Sequence, residues 1–315
     1  LAEYIIRHRE MQKLKSTYVD GSLAILCNDD RLRPDFHHMF VSTGRLSCSN
    51  PNIQNFPAQP SNKYIRGMIE APPEYYLVTF DYSQIEARMI ATISKDKWFC
   101  DAIKNGLDIH GYWAKILGKV LQNIDVNDPI QLKNFRKEVK TLWVFRLIYG
   151  SRLDATEQGL DARPGQLQKQ FDRFWDELKG VKAWQQNILD FYAEHGYVES
   201  PLGRRRRSPL SINEQINNMI QGVASDVVTD AMNRLCRLAH KLQKPQYIPI
   251  WNIHDDLGFL FRIKTVEEDI DFVARNLCCV PHFKWITIPI GVEVSAGKRW
   301  GSLTEIGTYD TRDWG

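Results

Sequence analysis

The sequence predicts an α+β fold, an antiparallel sheet interrupted by a long helical insertion, on three observations. First, the apolar, aromatic-rich run EYYLVTF (74–80) follows a Pro-Pro breaker, and helical spacing begins after Ser83, so a buried strand feeds a helix. Second, from Trp98 to about Gly196 nearly every stretch has helical periodicity, with breaks near Gly106, Pro129, Gly150 and Pro164. Third, IPIWNIHDDLGFLF (248–261) reads as two strands around a tight Asp-Asp turn.

The remaining elements fit around these. Ala2 to Tyr18 has apolar positions at helical spacing but no companion helix, which suggests a piece of an element whose remainder is missing. Gly196 to Pro209 resembles a hairpin and Glu214 to Leu242 a long helix, and the tail returns to β patterning before SAGKRWG. No internal repeat or low-complexity linker divides the chain, which argues for one interwoven unit.

Composition narrows the classes of function. At 315 residues and 43% hydrophobic content, the chain has material for a real core. It lacks both the roughly 20-residue apolar run of a membrane helix and a signal-peptide plan at LAEYIIRHRE, so an intracellular, soluble protein with no membrane partner is expected. The six cysteines show neither a CxxC pair nor zinc-site spacing and read as reduced, buried thiols. A net charge of +3 says little about partners; the local run Arg204 to Arg207 says more.

Two acidic motifs, DYS (81–83) and HDD (254–256), each sit at the end of an apolar strand. Carboxylates buried at strand ends are costly unless a cation lies between them, and two aspartates meeting across a sheet can clamp two metal ions for phosphoryl transfer. Either motif alone reads equally well as an ordinary turn containing Asp. A third element shifts the balance: Arg136 and Lys140 lie about one helical turn apart, and Phe145 and Tyr149 form a second i, i+4 pair. Cations for phosphates and aromatics for sugar and base are what a nucleoside triphosphate requires.

TGRLSCSNPNIQNFP (43–57), DYSQIEAR (81–88), DIH (108–110), RKEVKTLWVFRLIYG (136–150), NNMIQGVASD (217–226) and HDD (254–256) occur in the order found in family A DNA polymerases, which the chain therefore resembles over essentially its whole length. The resemblance implies a right-hand polymerase core. Its parts would be the C-terminal end of a thumb at 1–22, palm at 23–97, helical fingers at 98–204, and a second palm segment at 205–315. The implied reaction is primer extension with dNTPs on a DNA template, using two Mg²⁺ ions, with Mn²⁺ as a substitute.

Residue by residue, the resemblance implies that Asp81 and Asp255 bind metal together with the backbone carbonyl of Tyr82. Asp256, where the family usually has Glu, is an acidic auxiliary. Glu86 resembles the steric gate that packs with Tyr149 against a ribose 2′-OH. Gln84 joins the nucleotide site. Arg136, Lys140 and His110 resemble the triphosphate grip, with Lys140 also a proton donor to pyrophosphate, and Phe145 holds the position that senses a 3′-OH. Arg45, Asn52, Gln54, Asn217, Gln221 and His254 resemble contacts to primer-template near its growing end, where minor-groove acceptors common to all correct pairs can be tested. Arg204 and Arg205 are candidates for backbone phosphate contacts, and equally a solvated hairpin tip.

One spacing departs from the family. Eight residues rather than seven separate Lys140 from Tyr149, and at roughly 100° per residue the extra position would carry Tyr149 to the wrong side of an ideal helix. A single wide π turn between Lys140 and Phe145 would restore the face; an unbroken i to i−4 ladder would refute it. Transfer of the cationic roles to Lys137 and Thr141 is the alternative, and it gives up a charge.

The chain has no room for the proofreading exonuclease that usually precedes this module, so an upstream thumb or exonuclease segment, or a processivity factor, is an expected partner of an otherwise monomeric enzyme. Cytoplasm or nucleoid of a bacterial cell or phage host, or an organelle, is the implied location. A single-subunit RNA polymerase is a rival that Glu86 argues against. An inactive, DNA-binding descendant is another, and it has no chemical need for Asp81, Asp255, Lys140 and Tyr149 together. A metal phosphohydrolase would need further histidine ligands, which His8, His37, His38, His195, His240 and His282 do not obviously supply.

Overall fold

The computed structural model describes residues 1–121, 124–207, 209–241, 247–280 and 282–311. Helix α1 (Ala2–Lys13) buries no residue and continues through a π-helical segment, Leu14–Asp20, into α2 (Gly21–Leu23). A short hairpin, β1 (Asp35–His37) with β2 (Ser47–Ser49), and helix α3 (Lys63–Arg66) precede β3 (Tyr75–Tyr82). The helical stretch follows as α4 (Ile85–Ser94), α5 (Lys97–Lys104), α6 (Ile109–Leu121), α7 (Pro129–Val139), α8 (Phe145–Ile148), α9 (Leu153–Gly159), α10 (Gln168–Glu177) and α11 (Lys179–His195). Hairpin β4 (Tyr197–Glu199) with β5 (Arg205–Arg207) leads to α12 (Ile212–Lys241), β6 (Tyr247–Ile253), β7 (Asp256–Arg262), α13 (Val266–Val273), β8 (Gly291–Gly297) and β9 (Thr304–Asp310).

The expected breaks coincide with helix ends for local reasons. Gly106, Gly150 and Gly196 have φ of 71°, 91° and 72°, the left-handed region that glycine enters without steric cost. Pro129 opens α7 behind an Asp128 cap, whose carboxylate accepts from the Ile130 and Gln131 N–H groups. The long helix begins at Ile212, two residues before its expected start, and its expected end at Leu242 lies outside the described residues. The tail strand β8 runs through Ser295 to Gly297 instead of stopping before them, and β1, β2 and β9 are additional to the expected elements. All six cysteines are free thiols. Among the described residues no helix is long and apolar enough to cross a membrane.

The chain forms two compact units: Leu1–Ser83, Ser225–His282 and Ile290–Gly315 in the first, Gln84–Ala224 and Phe283–Pro289 in the second. The first is built on an antiparallel sheet in the order β6-β7-β3-β8-β9. Side chains alternate across it. On one face Leu77, Trp251 and Ile253 join Ile53, Phe56, Ile65 and Trp300 in a core against which Leu14, Tyr18 and Val19 pack. Val78, Phe80, Phe259, Phe261, Val292 and Val294 are also fully buried. Gly258 is required by a close approach: a β-carbon there would lie 2.2 Å from the Trp251 indole. Lys298 fastens the loop before β3 by donating to the carbonyls of Pro72, Pro73 and Tyr75.

The second unit is helical, around Trp113, Trp143 and Phe174, whose ring centroids lie 5.1–6.0 Å apart. Asp96, only 3% exposed, accepts from the N–H groups of Phe99 (2.8 Å), Gly180 (2.6 Å) and Val181 (3.2 Å). One buried carboxylate thus meets the positive N-terminal ends of α5 and α11 together.

Candidate functional site

In the first unit the acidic motifs meet at one end of the sheet. Asp81, next to last in β3, pairs in register with Asp256 at the start of β7 and, on its other side, with Glu293 of β8. Residues directly opposite in an antiparallel pair project from the same face, so these three carboxyl groups share a face. His254 and Asp255 form the two-residue turn between β6 and β7, with His254 at φ 58°. The turn is tied to β3 by the Tyr82 N–H donating to the Asp255 carbonyl at 3.0 Å. The Tyr82 hydroxyl, buried on the opposite face, donates to the Cys278 carbonyl at 3.0 Å.

Asp256 is half-buried, and its Oδ1 is fully buried without a hydrogen-bond donor. Burial, and then the Asp81 charge, push its carboxyl up to about 7, while the Arg66 guanidinium opposes the shift. Like charges opposite each other destabilise a sheet, and an acceptor oxygen buried without a donor does so again. A divalent cation relieves both, and all-oxygen donors suit Mg²⁺ or Mn²⁺. The residues therefore fit such an ion. Among the described residues no three His, Cys, Asp or Glu side chains converge as a cage, so main-chain oxygen or water would have to complete the coordination.

Arg66, absent from the expected site, stacks on Trp300 with its guanidinium 4.4 Å from the ring centroid and donates to the Phe56 carbonyl at 3.1 and 3.2 Å. Arg45 is half-buried and Asn52 exposed in the segment that follows β1. Gln54 is half-buried and donates its amide N–H groups to the carbonyls of Leu46 (3.2 Å) and Asn252 (3.1 Å).

In the second unit the expected nucleotide-site residues lie on or beside α4, α6, α7 and the turn and helix that follow α7. The predicted wide turn is there: Lys140–Val144 is π-helical, and the Phe145 N–H donates to the Lys140 carbonyl five residues back. With the extra residue absorbed, the Phe145 and Tyr149 rings stack at 5.7 Å, and the Tyr149 hydroxyl donates to the Glu86 carboxylate on α4. Gln84, at φ 51°, precedes that helix. Lys140 lies with its Nζ 5.7 Å from the Phe145 ring centroid, and His110 packs against the same ring at 5.3 Å.

His110 is 1% exposed, and neither ring nitrogen has a hydrogen-bond partner. Burial first, then the charges of Lys140 and Arg136, lower its pKa to about 4, against a smaller opposing pull from Asp108. Lys140 and Arg136 are therefore the cations whose charge reaches His110, while Thr141 donates to the Lys137 carbonyl at 3.3 Å. The histidine is neutral in the folded chain above about pH 4 and takes up a proton on unfolding between there and about pH 6.5. Its stabilising contribution is complete above the unfolded pKa and is lost as pH falls toward the folded value. Urea unfolding should show His110 costing wild type about 2 kcal/mol between pH 7 and pH 5. A His110→Gln chain should lack that component, and equal pH dependence in both would remove the assignment.

Arg136 does not stand free. Its Nε and Nη2 donate to the Asp108 carboxylate at 2.6 and 2.9 Å. Asn217 and Gln221 lie half-buried on α12, Asn217 with a buried Oδ1 lacking a donor. The β4–β5 hairpin carries the arginine run. Arg205 pairs with Glu199 and covers the Tyr197 ring at 4.7 Å, Arg206 pairs with Glu214 at 2.7 Å, and Arg204 is half-buried. Part of that charge is already neutralised within the hairpin and its neighbour α12.

Three similarities to known proteins bear on this arrangement. "DNA polymerase I" of Chloroflexus aurantiacus is 31% identical over 97% of this chain and 33% of its own length, and the thermostable DNA polymerase I of Thermus aquaticus is 31% identical over 97% and 37%. The POL domain of Pol1 from M. smegmatis, in complex with DNA primer-template and dNTP, superposes with a TM-score of 0.80 at 26% identity, over 96% of this chain and 53% of that one. The chain thus spans about a third of the length of the polymerase I relatives. The profile of DNA polymerase family A matches residues 1–302, and on these grounds the chain belongs to DNA polymerase family A.

Proposed function

We propose that this chain is a polymerase module that extends a primer 3′-OH with deoxynucleotides on a DNA template and releases pyrophosphate. The observation that carries the reading is the set of carboxylates at the sheet end, where Asp81 faces Asp256 beside Asp255 and a buried Asp256 oxygen has no donor. Asp81, Asp255 and the Tyr82 carbonyl would hold two Mg²⁺ ions, which when bound supply charge neutralisation for phosphoryl transfer. Thumb end (1–22) and most of the palm (23–97 and 205–315) then fall in the first unit, and the fingers (98–204) in the second, which also takes in 84–97, 205–224 and 283–289.

The chain's own residues supply the rest. Arg136 and Lys140 bind triphosphate oxygens, and neutral His110, with two unpartnered ring nitrogens, donates to one. Lys140 is the proton donor to departing pyrophosphate. Glu86, whose carboxylate accepts from the Tyr149 hydroxyl, closes the space beside the sugar C2′. Arg45, Asn52, Gln54, Asn217, Gln221 and His254 contact primer-template, and Arg204 extends that contact along the backbone. Arg205 contributes less, because Glu199 already holds it.

The test is primer extension with dNTPs and rNTPs side by side. Extension confined to dNTPs is expected; equal use of both would sink the DNA assignment in favour of an RNA polymerase, and no incorporation with Mg²⁺, even with a thumb segment supplied, would favour an inactive DNA-binding protein. Glu86→Ala should lower the preference for deoxyribose roughly ten- to a hundredfold, the worth of one filled-space contact. Unchanged sugar selectivity in that variant would remove Glu86 from the gate.

A further inference from the structure

The Arg136–Asp108 pair is a two-point ion pair that joins α7 to the residue before α6. Both carboxylate oxygens of Asp108 are engaged by the guanidinium fork, at 2.6 and 2.9 Å, and the two side chains retain only 47% and 35% of their exposure. Planar two-point pairing fixes orientation as well as distance. Asp108 is itself fixed. It stands immediately before α6, where its carbonyl accepts from the Tyr112 N–H at 2.8 Å and its carboxylate faces the Gly111 N–H. Gly111 leaves the space for this: a β-carbon there would lie 2.5 Å from Asp108 Oδ2. The same first turn of α6 carries His110.

We infer that Asp108 is a positioning residue for the incoming triphosphate, a carboxylate that locks the Arg136 side chain of α7 to the turn bearing His110, so that the two phosphate-binding groups are held as one unit. The inference rests on the proposed role of Arg136 and His110 in nucleotide binding. An arginine with four free rotors would lose conformational entropy on meeting a phosphate; one already clamped loses less. The bidentate pair uses Nε and Nη2, and Nη1 remains to donate to phosphate oxygen. A carboxylate so near the phosphates also repels them, so a role as competitor predicts the opposite sign and is separable by experiment.

Asp108→Asn is the informative variant, because asparagine still caps a helix but cannot carry the charge that holds Arg136. Binding of dNTP to the chain without DNA, measured by calorimetry, and KM and kcat in primer extension are the readouts. Asp108→Asn should weaken dNTP binding and raise KM about tenfold with kcat within a factor of about two, and Asp108→Glu should recover part of the loss. The two changes should not add: the double variant Asp108→Asn/Arg136→Ala should be no worse than Arg136→Ala alone. Tighter binding in Asp108→Asn, or penalties that simply add, would overturn the positioning role. If Arg136→Ala leaves dNTP binding unchanged, the nucleotide-site reading itself fails. If Arg136→Ala weakens binding and Asp108→Asn does not, only the role of Asp108 fails.

Discussion

Asp255→Asn should reduce primer extension on the order of a thousandfold while leaving fold and primer-template binding close to wild type. The substitution isolates charge from structure. Asparagine is at home in tight turns, and the main-chain bond that ties Asp255 to β3 uses its carbonyl rather than its side chain. The β6–β7 turn should therefore keep its shape, and Asp81 should keep its neighbours. What disappears is one of the negative charges at the sheet end. Single-turnover extension beside an equilibrium DNA-binding measurement separates the two effects. Normal turnover would take Asp255 out of the reactive centre.

The largest stability effect is expected at Trp143, which is wholly buried against Trp113 and Phe174. Trp143→Ala should cost about 3–5 kcal/mol through lost transfer energy and the cavity left behind. Trp143→Phe should cost far less than the volume change suggests, because the indole N–H is buried without an acceptor and its removal relieves a penalty of about 1–3 kcal/mol. Urea unfolding of the two variants tests the pair. A phenylalanine variant as damaged as the alanine one would show that the ring's second half, and not the unmet donor, dominates the site.

Much of the arrangement was legible in the sequence where chemistry and periodicity coincide. That Asp81 and the HDD turn lie at one sheet end was visible because an acid at the end of an apolar strand is conspicuous, although the register sets Asp256 and not Asp255 opposite Asp81; the wide turn after Lys140 was visible because helical phase can be counted. Glu293 was not, since in GVEVS an exposed glutamate between valines reads as the solvated half of an alternating strand; only the register with β3 brings it opposite Asp81. Asp108 stood in a quoted motif, yet its bond to Arg136 spans 28 residues and depends on side-chain geometry. Arg66 gave no signal, because stacking on Trp300 joins residues far apart in the chain. Strands β1 and β2 are only three residues long, and β9 is an edge strand with most side chains exposed, so neither offers a period to read.

The π segment at Lys140–Val144 also bears on how length can change inside a helix without loss of packing downstream. An added residue is usually tolerable in a loop, whose ends can float, and damaging in a helix, where everything downstream rotates. Here the surplus is confined to one turn. Upstream, Phe135 and Val139 face the core; downstream, Leu147 and Ile148 do so again, and Tyr149 still meets Glu86. The helix behaves as two rods joined by a spacer that absorbs one residue, so that an insertion becomes a local event and the faces on either side keep their phase.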